Sequence, residues 1–291
     1  MLGLTTRPRL AVAMLFAFYL FLYPGSITLV ALDRVPVWGT WMGGALLILQ
    51  GALMGLWLIV NFGQWGALAS LWVLFLSWLV EHIGATTGFP FGSYSYTDVL
   101  QPQVFGVVPL AIPFAWLLIV TAATGVAELF LDRESRAPRA ELRVRAPRVL
   151  IATAFALLLD VTIEPFAVHI NHYWVWSDSD PSAYYGIPAS NFVAWWFTSL
   201  LLSWVLALHR TGAVRAARFG PRHAAELFWP WLPLTLYLTN LTMFVVVNLA
   251  RGQVIAALIG SLILLVIAGR IGIPLLVRRL RARTEHEQSV S

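Results

Sequence analysis

The sequence has no cysteine and no lysine, and only 11% of its 291 residues are charged. Without cysteine there are no disulfides and no thiolate ligands, so zinc or haem bound through Cys is excluded and the redox compartment leaves no trace. An ordinary soluble domain carries roughly 25% charged residues. With 59% hydrophobic residues, a soluble fold of this size cannot hide its apolar surface. The chain also lacks a nucleotide-binding fingerprint. All 19 basic residues are Arg, with a formal net charge of +5. Such a balance raises nucleic-acid binding, but the arginines sit beside apolar runs and argue against it.

What is present is a series of apolar blocks with short polar breaks. A membrane helix needs about 20 apolar residues, and blocks of that length fall near 10–32, 39–60, 65–83, 107–131, 149–168, 187–208, 227–249 and 254–277. These predict an all-α, polytopic transmembrane bundle of about eight spans in a single integral membrane domain, residues 1–291. Arg7-Pro8-Arg9 before the first block imitates a signal peptide. The run continues without a small-residue cleavage site, however, and reads as the first span. Cytoplasmic loops retain positive charge. Sixteen of the 19 arginines fall in the N-terminus, loops 132–148 and 209–226, and the tail after Val277, so both termini are expected in the cytoplasm. Arg34 and Arg251 are left to outer loops, and Arg270 to snorkelling. The cell membrane is the expected location.

The basic loops divide the chain into four helical hairpins. The middle two, about 65–131 and 149–208, have long outer loops at 84–106 and 169–186. At an offset of 79, Glu81 aligns with Asp160, Tyr94 with Tyr173, Pro109 with Pro188, and Ala115-Trp116 with Ala194-Trp195. A tandem hairpin repeat would explain the match, and so would the chance likeness of apolar helices.

Carboxyl groups inside a bilayer cost roughly 2.5–3.5 kcal/mol each on insertion scales and face the interior with a job or a partner. Glu128 and Glu226 lie beside arginines and read as interfacial ion pairs. Asp160 and Glu164 are one helical turn apart on one face, with Pro165 next to them. Two acids so close in low dielectric cannot both ionise cheaply, and one is expected to keep its proton. Glu81 and His82 close the third span. The turn-rich segment after them puts Tyr94 and Tyr96 at alternate positions, facing inward if the stretch is extended. His169, Asn171 and His172 follow the fifth span near Trp174 and Trp176. The His pair suggests a metal only weakly, since it lies in a loop, and interfacial hydrogen bonding suits it better; no metal or other cofactor is expected. Asn191, Asn240 and Asn248 lie in later spans, where amides glue helices together. Asn191 is singled out because it lies at the acids' depth. The candidate catalytic residues are Asp160, Glu164 and Glu81; the candidate substrate contacts are His82, Tyr94, Tyr96, His169, His172, Trp174 and Asn191. All belong to the outer half of the expected bundle.

The run EHIGATTGFPFGSYSY, followed by GVVPLAIPFAW and, after the acid-bearing fifth span, NFVAWW, resembles the membrane carotenoid biosynthesis proteins of the carotenoid 1′,2′-hydratase (CruF) type, which include bisanhydrobacterioruberin hydratases. The likeness covers roughly residues 70–250 and is most specific in its first motif. It implies addition of water to the terminal ψ-end double bond of an acyclic or monocyclic carotenoid. The partners implied are the carotenoid and membrane lipid, with room for contact with other membrane enzymes of the pathway.

Hydrating a trisubstituted alkene needs a neutral acid, a stabilised tertiary cation and a base for the incoming water, but no redox cofactor. A carboxyl desolvated in a bundle stays neutral, aromatic faces stabilise cations, and a second carboxylate or His takes the proton from water. Three other functions compete: a proton-initiated lycopene-type cyclase, a membrane prenyltransferase and a transporter of lipophilic or proton-coupled substrates. Asp160 and Glu164 supply only one of the two acid-rich motifs a prenyltransferase would need. Against a transporter, the acids cluster toward one side of the bilayer, away from the midplane.

Overall fold

The structure is a computed structural model and describes residues 3–131, 145–177, 179–180, 183–218 and 227–290. Among these residues eight helices are long and apolar enough to cross a membrane. They are α1 (Gly3–Ala31), α2 (Met42–Phe62), α3 (Gln64–Thr87), α4 (Ala111–Phe130), α5 (Arg145–Pro165), α6 (Ala189–Arg218), α7 (Leu232–Ala250) and α8 (Val254–Val290). The chain is thus an all-α polytopic membrane bundle. Four short strands interrupt the connections: β1 (Tyr94–Tyr96), β2 (Gln103–Val104), β3 (Val108–Pro109) and β4 (Trp174–Trp176).

The helix α4 is the axis of the bundle. Its 20 residues rise about 30 Å at 1.5 Å each, the thickness of the hydrocarbon core. It packs against α2, α3, α5, α6 and α7, which accounts for apolar or small residues around nearly its whole circumference. Lipid tails are as apolar as leucine, so helices in a membrane associate through close packing and buried polar contacts. Both occur here. Gly51 of α2 lies against the backbone of Phe114, where a Cβ would collide with the carbonyl oxygen. Asn240 of α7 donates to Gln50 of α2 at 2.7 Å, and Asn248 donates to the Thr162 carbonyl of α5 at 2.9 Å.

Glu128 pairs with Arg148 at 2.9 Å, tying α4 to α5 as an ion pair. Glu226 and most of the basic 132–148 loop lie outside the described residues. Arg251 pairs with Asp33 at 2.7 Å, and Arg270 donates to the Leu129 carbonyl at 2.8 Å. The helices outrun the apolar runs at several ends, α3 continuing to Thr87, α6 to Arg218 and α8 to Val290, and the span that contains Pro165 ends in a π-helical turn over Phe166–Ile170.

A two-stranded ribbon joins the middle hairpins. Strands β1 and β4 pair antiparallel, with Tyr94 opposite Trp176 and Tyr96 opposite Trp174. Two further bonds extend it, from Thr97 N to the Tyr173 carbonyl and from Ser177 N to the Ser93 carbonyl.

Candidate active site: two carboxyls beneath an aromatic ribbon

Side chains alternate across a strand, so Tyr94 and Tyr96 leave the same face of β1, as do Trp174 and Trp176 of β4. The ribbon therefore presents four aromatic side chains with polar tips toward the C-terminal ends of α3 and α5. Each of those ends carries a glutamate. Tyr94 and Tyr96 donate to Glu81 Oε2 at 2.6 and 2.7 Å, and Trp116 of α4 donates to its Oε1 at 2.8 Å. Trp174 and Trp176 donate to Glu164 Oε2 at 3.2 and 3.3 Å, and Asn191 of α6 donates to its Oε1 at 2.9 Å. Each carboxyl thus has two ribbon donors on one oxygen and one helix donor on the other.

The two halves match in a further respect. Trp116 and Trp195 stack with ring centroids 4.0 Å apart, and these are the tryptophans that the offset of 79 aligns. The same offset sets Glu81 against Asp160, but by surroundings the counterpart of Glu81 is Glu164. Asp160 lies one turn deeper and is fully buried, 3.5 Å from the Asn191 amide nitrogen, and among the described residues its Oδ1 has no hydrogen-bond partner. Asn191 therefore bridges the two acids of α5.

Glu81 and Glu164 line one cavity of about 80 Å³, walled by the ribbon aromatics, Phe91, Trp116 and Trp195 among others. Phe91 stands edge-on to Tyr94 at 6.0 Å and packs where Gly84 of α3 leaves space; a Cβ there would come within 2.6 Å of its ring. Tyr173 also faces the cavity and accepts from Asn171 at 2.7 Å. Burial pushes the Tyr173 phenol up to about 12. Burial, reinforced by Glu81, holds the Tyr94 and Tyr96 phenols above the ordinary phenol range. All three are neutral hydroxyls at physiological pH and can donate.

The structure brings Glu81, Glu164, Tyr94, Tyr96, Trp174 and Asn191 to this cavity, with Asp160 just behind. It does not bring the histidines. One residue on from Glu81 turns about 100° around a helix, and the His82 ring lies 5.1 Å from that of Trp78, off the cavity. His169 and His172 are exposed and bond the backbone carbonyls of Tyr185 and Val168, both at 2.9 Å. Sequence reasoning missed Trp116, Trp195 and Phe91. The aligned Ala-Trp pairs were the available signal for the first two; nothing distinguishes Phe91 from other loop aromatics.

A profile of the family described as Carotenoid biosynthesis protein matches residues 42–267. Over 173 residues the chain is 26% identical to the bisanhydrobacterioruberin hydratase of Haloarcula japonica, covering 58% of this chain and 55% of that protein. The chain thus spans about half the length of this curated relative. No solved structure matches. The profile takes in every wall of the cavity, from Leu47 of α2 to Phe244 of α7, and the chain belongs to the carotenoid biosynthesis protein family.

Proposed function

We propose that this protein is a carotenoid 1′,2′-hydratase of the cell membrane, adding water to the terminal ψ-end double bond of an acyclic or monocyclic carotenoid. The observation that carries the proposal is the pair of anchored carboxyls lining one apolar, aromatic-walled cavity. Family membership and the hydratase relative agree with it.

Glu164 is the proton donor, with Asp160 one turn deeper and the Asn191 amide donating to both acids. The acid O–H breaks and a C–H bond forms at the less substituted alkene carbon, leaving a tertiary cation. The stacked Trp116 and Trp195 and the ribbon aromatics offer electron-rich faces to that cation. Water adds to it, and the proton it releases goes to Glu81, the other carboxyl on the cavity. Passing that proton back to Glu164 restores the pair, so the sum is alkene plus water to tertiary alcohol. The proposed roles replace two of the sequence expectations: His82 has no part, and Asp160 stands behind Glu164.

Expression in cells that accumulate lycopene, followed by mass analysis of the pigments, tests the reading. Hydration gives products heavier by one water per reacted end. A cyclic isomer of unchanged mass would make the protein a cyclase, and unaltered lycopene would reject both activities.

A further inference from the structure

The central cavity is too small for the substrate proposed above. Pockets that enclose a drug-sized ligand measure about 300–1,000 Å³; this one, at about 80 Å³, has room for an end group and a water. The rest of a long polyene must lie elsewhere. A groove of about 680 Å³ runs along the seam between α3 and α6 on the membrane-facing side, lined by Val80, Ile83, Ala194, Thr198 and Leu201. Phe89 and Val193, on its rim, are 75% and 57% exposed.

Residues adjacent in sequence line the groove and the cavity in three stretches of chain. Val80 faces the groove and Glu81 the cavity; Ala194 faces the groove and Trp195 the cavity. Likewise Phe89 and Pro90 line the groove, and Phe91 the cavity. The backbone carbonyl of Phe91 accepts from Ser190 at 2.7 Å, which ties this stretch to the start of α6. The adjacency of the two spaces and the mismatch of their volumes favour one occupant over a passing lipid chain.

We propose that the α3–α6 groove seats the polyene chain of the substrate, whose end group reaches the two carboxyls past Phe91. This rests on the carotenoid reading. The substrate then arrives sideways from the bilayer, and the groove measures its length and rigidity while the cavity reads only its end.

The test uses the full chain in proteoliposomes with two probes, lycopene and a ten-carbon terpene bearing the same isopropylidene end. Val193→Trp fills the groove from a lipid-facing position. It is expected to lower kcat/KM for lycopene at least tenfold relative to the short terpene, and to abolish the induced circular dichroism of the bound polyene. Leu262→Trp, at a lipid-facing position on α8, changes neither. An unchanged rate ratio together with an unchanged dichroic band in Val193→Trp overturns the proposal and leaves the groove to lipid. If the wild type hydrates neither probe, the hydratase reading fails. The dichroic band, present in the wild type and lost in Val193→Trp, then still decides whether the groove holds a polyene.

Discussion

Tyr94 and Tyr96 place both phenols on one oxygen of Glu81, at 2.6 and 2.7 Å, and each bond is short enough to be charge-assisted. Hydrogen bonds to charged groups contribute about 1.5–3 kcal/mol. Replacing both tyrosines by Phe keeps the rings in the ribbon and leaves Glu81 only Trp116 as donor. The double variant is expected to fold but to lose at least about tenfold in kcat, a factor worth about 1.4 kcal/mol, in a pigment-turnover assay. Glu81 and Glu164 were legible in the sequence because a carboxyl in an apolar span is costly enough to call for a reason. Trp116 and Trp195 were not, since tryptophan in a membrane helix is ordinary. The histidines lie off the cavity: a neighbour in sequence to an acid points to a different face of the helix, as His82 does.

At the scale of elements, α4 sets how closely the other helices approach. Gly51 is required where α2 meets it, whereas Gly25 of α1 has nothing within 4 Å of its would-be Cβ. Gly51→Val is expected to destabilise by about 1–3 kcal/mol, as overpacking does, and Gly25→Ala to leave the thermal midpoint in detergent unchanged or raised. The β1–β4 ribbon could not be read beforehand, because three-residue strands separated by some eighty positions carry no periodic signal linking them. Its adjoining phenol gives a pH signature. Tyr173 moves from the ordinary 10.0 to about 12 by burial, so between those values the unfolded chain releases a proton that the folded chain keeps. Stability therefore falls as pH rises through that window. Tyr173→Phe should make the decline shallower in thermal melts taken from pH 9 to 12.

The whole molecule was the most legible level. A 20-residue apolar run is a signal along one dimension, and all eight such runs are helices here; the cavity, by contrast, exists only once six helices and two strands converge. The arginine-derived orientation predicts that the ribbon faces outward. Because the chain has no cysteine, labelling can test this without background. A cysteine in place of Ser177 should react with a membrane-impermeant maleimide on intact cells, and one in place of Ser135 only after permeabilisation. The central claim is that two carboxyls in one cavity transfer a proton to an alkene and accept one from water. Its most direct test is turnover of lycopene by the purified protein in ¹⁸O-labelled water, comparing wild type with Glu164→Gln and Glu81→Gln. The account predicts one labelled hydroxyl per reacted end in the wild type. It predicts a loss of about 10²-fold or more in each variant, the scale of a missing general acid or base. Undiminished incorporation of label by both variants would contradict it.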